Sequence, residues 1–530
     1  MHWSDVVAQR LSERGSKHII STGITPSGEF HIGHLREILT GDMISKAARK
    51  AGLDAEFVFI VDSADPLRKV YAFLDDSYSK YIGHQLKKIP PPDANGCPDM
   101  QRFAEGISYA DHFLEPFKKA LEQIDVHPRF IDNFNAYASG QFAETSQIAC
   151  NNADKIREII ERVSGRELSH DWFPWNPIDS NGSIDGIRVT GWNNPFVSWI
   201  DSEGNEGQSD VTKGEGKLPW RIDWPAKWAW IGVTMEPFGK DHGAAGGSYD
   251  TGKEIVELFA QQAPVDLTYE WISLRGQGAM SSSSGNTVGP LEALSLVPPE
   301  ILRYLVASTK PNKAIEFDTG VGLVNLADEF ERTTSRDFSI ELEKEGLSRR
   351  QLVAIEDAKT ALELSLISPR EETSSVTFRH LAMLAQTKSK DEDVWRSLGI
   401  VGTIPQSMVD RLHRMRTWVH SNHFPEELRI AILEQPSSEA MEQMGEENIL
   451  LLPELIKSLR SSNWEAASIQ TSISSTAKTL ELSPRHAYRA LYLCLMGTER
   501  GPRLPAILTE LDQDTILNLL DACLQTKQES

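Results

Sequence analysis

The chain reads as an α/β protein with a parallel sheet, a loop-rich insertion and an all-helical C-terminal region. Three observations carry that reading. Residues 17–62 run strand, turn, helix, strand; residues 228–275 return to the same alternation; beyond Pro299, helix formers at 3.6-residue spacing dominate up to Leu524. A strand–helix–strand unit implies a parallel sheet, because only a crossover of that length returns the chain in the same direction.

The first strand is Lys17-His18-Ile19-Ile20-Ser21-Thr22, ending at Gly23, followed by a turn built on Pro26-Ser27. From Leu35 the apolar residues Leu35, Ile38, Leu39, Met43, Ile44 and Ala47 share a helical face, and Gly52 stands where a C-cap belongs. Glu56 through Asp62 is a buried strand. In such units ligands bind at the C-terminal strand ends.

Residues 84–225 differ in kind, holding Pro90-Pro91-Pro92, several Gly/Asp/Asn turns and many tryptophans. Nine of the thirteen tryptophans fall between Trp172 and Trp271, which marks an insertion pinned by aromatic packing. After it, Trp228–Val233 and Tyr269–Leu274 are expected as strands, with a helix over Gly252–Ala260 between them. The expected organisation is a first half-domain at 1–83, an insertion at 84–227 and a second half-domain at 228–298. A linker follows at 299–350, then a helical domain at 351–530.

A 530-residue chain exceeds what one core supports. With 40% hydrophobic and 25% charged residues it is expected to be soluble and globular. No run approaches the roughly 18 apolar residues of a membrane span. Met1-His2-Trp3-Ser4-Asp5 does not resemble a secretory leader, so the cytoplasm is the expected compartment. Cys97, Cys150, Cys494 and Cys523 are scattered and form no C-x-x-C pair, and read as small buried hydrophobes. A net charge of −22 weighs against polyanion binding by the whole surface but leaves room for a local basic face.

Three clusters carry chemistry. His31-Ile32-Gly33-His34 stands between a strand and a helix, where free N–H groups and the dipole favour phosphate. Gly33 would let a base ring approach the backbone. The plainer alternative is a pair of capping histidines. Gly278-Ala279-Met280-Ser281-Ser282-Ser283-Ser284-Gly285-Asn286 is either a phosphate-wrapping loop or a flexible linker. Glu236-Pro237-Phe238-Gly239-Lys240-Asp241-His242-Gly243, at an expected strand end, offers a cation, a carboxylate and an imidazole.

The order of these clusters resembles that of the class I aminoacyl-tRNA synthetases, with their HIGH and KMSKS motifs, and most closely the archaeal-type class I lysine–tRNA ligases. The resemblance spans nearly the whole chain. It is most specific over Thr22–Arg36, Asp65–Val70, Gly216–Ala226 and Glu236–Asp250, with Arg489–Tyr492 and Gly501–Leu504 near the C-terminus. It implies a Rossmann-like catalytic domain and a helical anticodon-binding domain. It implies ATP with Mg²⁺, lysine and tRNA(Lys) as substrates and partners, with neither membrane nor DNA involved. By resemblance His31, His34, Met280, Ser281, Ser282 and Ser283 are catalytic, and Gly33, Gly239, Lys240 and Asp241 bind ATP. Gly23, Thr25, Trp220 and His242 match the family's lysine pocket, and Glu29 and Asp62 are candidates for the lysine ammonium.

Two departures from the family stand out. The loop's two lysine positions hold Ala279 and Ser284, although such lysines meet the charge developing on pyrophosphate. Lys240 and Arg275 are the nearby cations. Three readings follow: an active ligase tolerating its altered loop, an impaired paralogue that binds tRNA or a lysine-like ligand, or an enzyme that keeps the adenylation chemistry but passes the activated amino acid to something other than tRNA. The insertion also lacks the family's cysteine pairs. Pro177–Gly182 and Trp199–Asn205 occupy those turns, so no structural zinc is expected. At the C-terminal end, Arg411, His413, Arg414, Arg416, Trp418 and His420 form one basic, aromatic stretch, and Arg485, His486, Arg489, Arg500 and Arg503 another. Both suit unstacked bases or a solvated helix face.

Overall fold

The computed structural model describes residues 1–276, 278–279, 287–367, 376–400 and 402–529. The chain divides into two compact units. One comprises Met1–Leu294, Pro299–Asp318 and Thr333–Arg370, the other Ser295–Pro298, Thr319–Arg332 and Glu371–Ser530.

The first unit is built on five strands: β1 (Lys17–Ile24), β2 (Asp54–Val61), β3 (Arg129–Asp132), β4 (Met235–Gly239) and β5 (Val265–Tyr269). Their order is β5-β4-β1-β2-β3, with every neighbouring pair parallel. The β1–β2 register runs unbroken from Lys17↔Asp54 to Ile24↔Val61. The chain builds outward from β1 through β2 to β3, then crosses back to lay β4 and β5 on the other side. Strand order thus reverses between β1 and β4, where the C-terminal ends of a doubly wound sheet open a crevice. Helices α1 (Trp3–Ser12) and α4 (Pro299–Ala307) belong to this unit, and the crossover from β1 to β2 is the helix α2 (Ile32–Lys50), whose Leu35, Ile38, Leu39, Met43 and Ile44 are buried. Gly52 just beyond it has φ +86°, as a C-terminal turn requires.

Two sequence expectations fail here. Residues 228–233, expected as a strand, end the helix α3 (Trp220–Ile231), which stops at Gly232 with φ +79°. A short apolar run such as Trp228-Ala229-Trp230-Ile231 fits a buried helix as well as a buried strand. The deciding pattern lies upstream, where Trp220, Trp224 and Trp228 recur every fourth residue. The actual strand, β4, begins at Met235. Likewise Tyr269–Leu274 is two elements. β5 ends at Tyr269, while Ile272–Leu274 (β6) joins a separate sheet with Ile315–Phe317 (β7) in parallel and Gly278–Ala279 antiparallel. The region beyond Pro299 therefore contains a strand, too short to interrupt the helical pattern of its surroundings.

Three turns between residues 93 and 205 are capped by a carboxylate. Asp179 Oδ1 accepts the N–H groups of Asn181 and Ser183, both at 2.8 Å. Asp201 Oδ1 does the same for Glu203 and Asn205 at 2.9 and 2.8 Å, and Asp93 for Asn95 and Cys97 at 2.8 and 2.9 Å. Each motif reads Asp-x-x-Gly-x, with the glycine at positive φ. Among the described residues no group of three or more His, Cys, Asp or Glu could hold a metal ion. Trp175 is fully buried here and donates its indole N–H to Ser209 at 2.9 Å.

The second unit is helical. α5 (Val321–Thr334, shared at its end with the first unit), α6 (Phe378–Thr387) and α7 (Gln406–His420) precede α8 (Glu446–Ser461), α9 (Ala466–Thr479), α10 (Pro484–Met496), α11 (Leu504–Leu508) and α12 (Gln513–Glu529). Leu451, Leu455, Leu459, Leu491, Leu495 and Leu520 form its leucine-rich core, with Cys494 and Cys523 among them. Half of the basic, aromatic stretch on α7 serves the fold. Arg411 is buried against Glu331, Arg416 pairs with Asp391 at 2.8 Å, and Trp418 is buried with its N–H on Thr319 O at 2.8 Å. No helix among the described residues is long and apolar enough to cross a membrane.

Candidate active site

A cavity of about 420 Å³ opens where β1 and β4 part. Gly23 lines it from β1, His31, Gly33, His34 and Glu37 from α2 and its cap, Glu236 and Gly239 from β4. Trp220, Trp224 and Lys227 reach it from α3, and Tyr269, Trp271 and Ile272 from the end of β5 and start of β6.

The histidines are bound into the helix start. His31 is the N-cap, with its Nδ1 accepting the Gly33 N–H at 3.1 Å, and His34 Nδ1 accepts the His31 N–H at 3.0 Å. A nitrogen that accepts cannot carry the proton, so the neutral His31 ring keeps it on Nε2; His34 Nδ1 lies also 3.3 Å from His31 O, and the shorter bond from the His31 N–H favours the same tautomer there. Burial pulls His31 down to about 4 and His34 down to about 3, the latter pressed further by His31. At neutral pH the cavity therefore holds two uncharged N–H donors, their rings 4.0 Å apart. Capping and donation are compatible, since they use opposite nitrogens. A Cβ on Gly33 would lie 2.7 Å from the His31 ring, so the arrangement requires glycine.

Carboxyl groups mark another part of the wall. Glu37 Oε1 accepts the Gly23 N–H at 3.0 Å and Oε2 accepts the Tyr269 hydroxyl at 3.1 Å. Burial pushes Glu37 up to about 8, with the charges of Glu236 and Asp62 adding to it against those two hydrogen bonds. Glu236 accepts the indole N–H groups of Trp224 at 2.9 Å and Trp228 at 2.6 Å, and burial lifts it to about 7. A cation entering this space would neutralise carboxyls that otherwise favour protonation.

Aromatic rings build the side wall: Trp220 stacks on Trp224 with centroids 5.5 Å apart and lies 5.2 Å from the His242 ring. In the cavity wall Lys227 pairs with Asp62, which also lines the cavity, and, at 2.7 Å, with Asp223, while Lys217 pairs with Asp65. Asn133 donates to Asp62 at 2.8 Å. Burial alone would depress the Lys227 ammonium, but Asp223 and Asp62 hold it above its ordinary range.

Of the residues expected from sequence, His31, His34, Gly33, Gly23, Gly239, Asp241, Trp220, His242 and the ammonium candidate Asp62 line the one cavity. Thr25 sits behind it, donating its hydroxyl to Asp65 at 2.8 Å. Lys240 pairs with Glu270 at 2.7 Å and lies 5.0 Å over the Trp271 ring. Arg275 pairs with Asp318 at 2.7 Å. Met280, Ser281, Ser282, Ser283 and Ser284 lie outside the described residues, as does the side chain of Ala279. Asp62, one of the two carboxylates expected to face an ammonium, already faces Lys227, and Glu29 is not among the lining residues. Glu37, Glu236 and Tyr269 were not singled out from sequence. Glu37 was within reach, one helical turn beyond His34 on the same face of α2.

The family model described as tRNA synthetases class I (K) matches residues 1–359, and that described as anticodon binding domain matches residues 407–524. A lysine–tRNA ligase of Thermoplasma volcanium is 36% identical over 97% of each chain, and one of Archaeoglobus fulgidus is 36% identical over 99% of this chain and all of its own. A lysine–tRNA ligase of Methanosarcina barkeri is 44% identical over 63% of this chain and 60% of its own. A cavity at the β1–β4 switch point, a paired-histidine helix cap and likeness along nearly the full length agree, and the chain belongs to the class I tRNA synthetases of the lysine type.

Proposed function

We propose that this protein is an ATP-dependent lysine–tRNA ligase acting on tRNA(Lys). The observation that carries the proposal is the coexistence, in one cavity, of two neutral imidazole donors and a buried carboxyl without a basic partner among its hydrogen bonds. The first suits a phosphate and the second the ammonium of a lysine side chain.

In this reading lysine lies along Trp220 and His242 with its ammonium on Glu37, whose position is fixed by Gly23 N–H and Tyr269 O–H. An oxygen of the lysine carboxylate attacks the α-phosphorus of ATP, and the bond to the bridging oxygen breaks to release pyrophosphate. The 2′-hydroxyl of the tRNA's terminal adenosine then attacks the carbonyl carbon of the adenylate, losing its proton as AMP departs. His31 and His34 donate through Nε2 to phosphate oxygens, and Gly33, Gly239 and Asp241 surround the nucleoside. Mg²⁺ would accompany ATP and be held largely by its phosphates. Positioning and charge neutralisation supply the rate, which is why the donors are prearranged in the helix cap.

A second reading keeps the pocket and loses activation. It draws on Ala279 and Ser284, and on the pairing of both nearby cations, Lys240 with Glu270 and Arg275 with Asp318. Lysine-dependent exchange of pyrophosphate into ATP separates the two. Exchange by the natural chain supports the ligase. Exchange only by an Ala279→Lys/Ser284→Lys variant supports the silenced copy.

A further inference from the structure

Arg36 is a buried cation that no carboxylate among the described residues hydrogen-bonds. It stands on α2, one turn beyond Gly33, and is 1% exposed. Its Nη2 donates to three backbone carbonyls, those of Lys310 at 3.2 Å, Pro311 at 3.3 Å and Lys313 at 3.5 Å. Its Nε and Nη1 meet no acceptor among the described residues. Burial pulls the guanidinium down to about 10, against the charges of Tyr269 and Glu270, so it remains a cation at neutral pH. Burying a charge with unmatched donors costs stability, and an apolar side chain would pack here at less cost. What the arginine adds is a hold on residues 310–313.

That segment supports one wall of the active-site cavity. Pro311 O also accepts the Glu270 N–H at 2.8 Å, and Ile315 donates its N–H to Trp271 O at 3.1 Å. Ile272 is in register with Ile315 in the parallel β6–β7 pair. Residues 270–272 therefore hang on residues 311–315. Trp271 and Ile272 both line the cavity. Ile272 faces α2, since a Cβ on Gly33 would come within 3.8 Å of Ile272 O. The Trp271 ring faces β4, where a Cβ on Gly239 would lie 3.1 Å from the indole nitrogen. Gly33 and Gly239 are the glycines that surround the nucleoside in the ligase reading. One wall of that slot is thus α2 and the opposite wall is Trp271–Ile272, and Arg36 ties the two together through residues 310–313.

We infer that Arg36 is a positioning residue for the nucleotide, its grip on the 310–313 carbonyls setting the width of the slot that takes the adenosine of ATP. This rests on the ligase reading and adds what holds the slot at its working width. Arg36 itself is not among the lining residues, so it acts through the backbone it grips. The lysine end of the cavity draws on other elements, with Gly23 from β1 and Trp220 from α3. A loosened slot should therefore be felt by ATP and not by lysine.

The test is titration calorimetry of the full-length protein with Mg²⁺–ATP and, separately, with lysine, beside a thermal melt. Arg36→Met keeps the bulk and removes the donors, whereas Arg36→Lys keeps a cation that can reach a carbonyl from the same helix position. Arg36→Met should weaken ATP binding about tenfold or more, near the worth of one charged hydrogen bond, and leave lysine affinity unchanged. Arg36→Lys should recover most of that loss. Unchanged ATP affinity in a folded Arg36→Met overturns the assignment. So does an equal loss for ATP and lysine that Arg36→Lys does not recover, which would make the residue a packing element only. Should Arg36→Met fail to fold, Arg36→Lys decides alone, because one ammonium cannot span three carbonyls. A loss confined to ATP then upholds the assignment, and equal affinities or equal losses overturn it. Absence of ATP binding by the natural chain would instead strike the ligase reading, and the slot with it.

Discussion

The carboxyl of Glu37 and the hydroxyl of Tyr269 meet at 3.1 Å, joining the first turns of α2 to the end of β5 across 232 residues of sequence. The contact spans the crevice between the two halves of the sheet and fixes one oxygen of the only acid on α2 that lines the cavity. Its other oxygen is held by Gly23 on β1. Three separate elements thus aim one carboxyl into one space.

Replacing Glu37 by Gln should raise the lysine KM by about two orders of magnitude, since losing one partner of a buried charge pair costs roughly 2–5 kcal/mol. Tyr269→Phe should cost about tenfold, near the worth of one hydrogen bond to a charged group. Steady-state pyrophosphate exchange at varied lysine gives both numbers. An unchanged KM in Glu37→Gln would remove Glu37 from the ammonium site.

The raised Glu37 carboxyl, at about 8 in the empty cavity, makes lysine binding a proton-releasing event below that pH. The ligand's ammonium stays charged throughout, so the proton released between pH 7 and 8 comes from Glu37, while Glu236, raised to about 7, gives up its own below that. Affinity should therefore improve about tenfold per pH unit up to pH 8 and level off above it. In the free protein the sign is opposite for stability. A carboxyl raised on folding binds its proton more tightly in the native state, so its contribution declines as pH rises from the unfolded value toward 8. Titration calorimetry in two buffers of different ionisation enthalpy should detect the released proton, and Glu37→Gln should abolish it.

The histidine pair acts through Nε2 while Nδ1 caps the helix. His31→Asn keeps a capping oxygen and loses the far donor, so it should cost at most about 1 kcal/mol in stability. The same change should lower kcat by about a hundredfold, the usual effect of losing one preorganised donor. Because both rings are depressed to about 4 and about 3, their protonation should not shape the pH–rate profile between pH 6 and 8. A thermal melt beside the exchange assay separates capping from catalysis.

In the insertion, Asp179→Ala or Asp201→Ala should each destabilise by about 1–2 kcal/mol, because two turn N–H groups lose their acceptor. Lys227→Met should be worse, by about 3–5 kcal/mol, since Asp62 and Asp223 would be left buried without their cation. A chelator should leave the melting temperature unchanged. A chelator-induced fall would mean that the turns hold a metal after all.

The α/β character of the sheet was legible because strand, turn and helix follow in order over residues 17–62. The aromatic helix α3 was misread at its end, where four apolar residues look alike in either structure, although the spacing of Trp220, Trp224 and Trp228 contained the answer. Most of the cavity-lining residues were legible as motifs at strand ends. Glu37 and Tyr269 were not, because their meeting depends on how β1, β4 and β5 come side by side, and Glu236 stood in a quoted motif without a role assigned to it. Arg411 and Trp418 show the converse. They looked like RNA-contacting groups, but the carboxylate and carbonyl that bury them lie 80 and 99 residues away.

The central claim is that this cavity makes lysyl-tRNA despite the altered loop. Attachment of radiolabelled lysine to tRNA(Lys) by the natural chain, with Glu37→Gln as control, tests it most directly. Lysine- and ATP-dependent charging, reduced a hundredfold or more by Glu37→Gln in line with its buried charge pair, is the expected result. No charging by the natural chain, with charging restored by Ala279→Lys/Ser284→Lys, would contradict it and leave a binding protein built on a ligase scaffold.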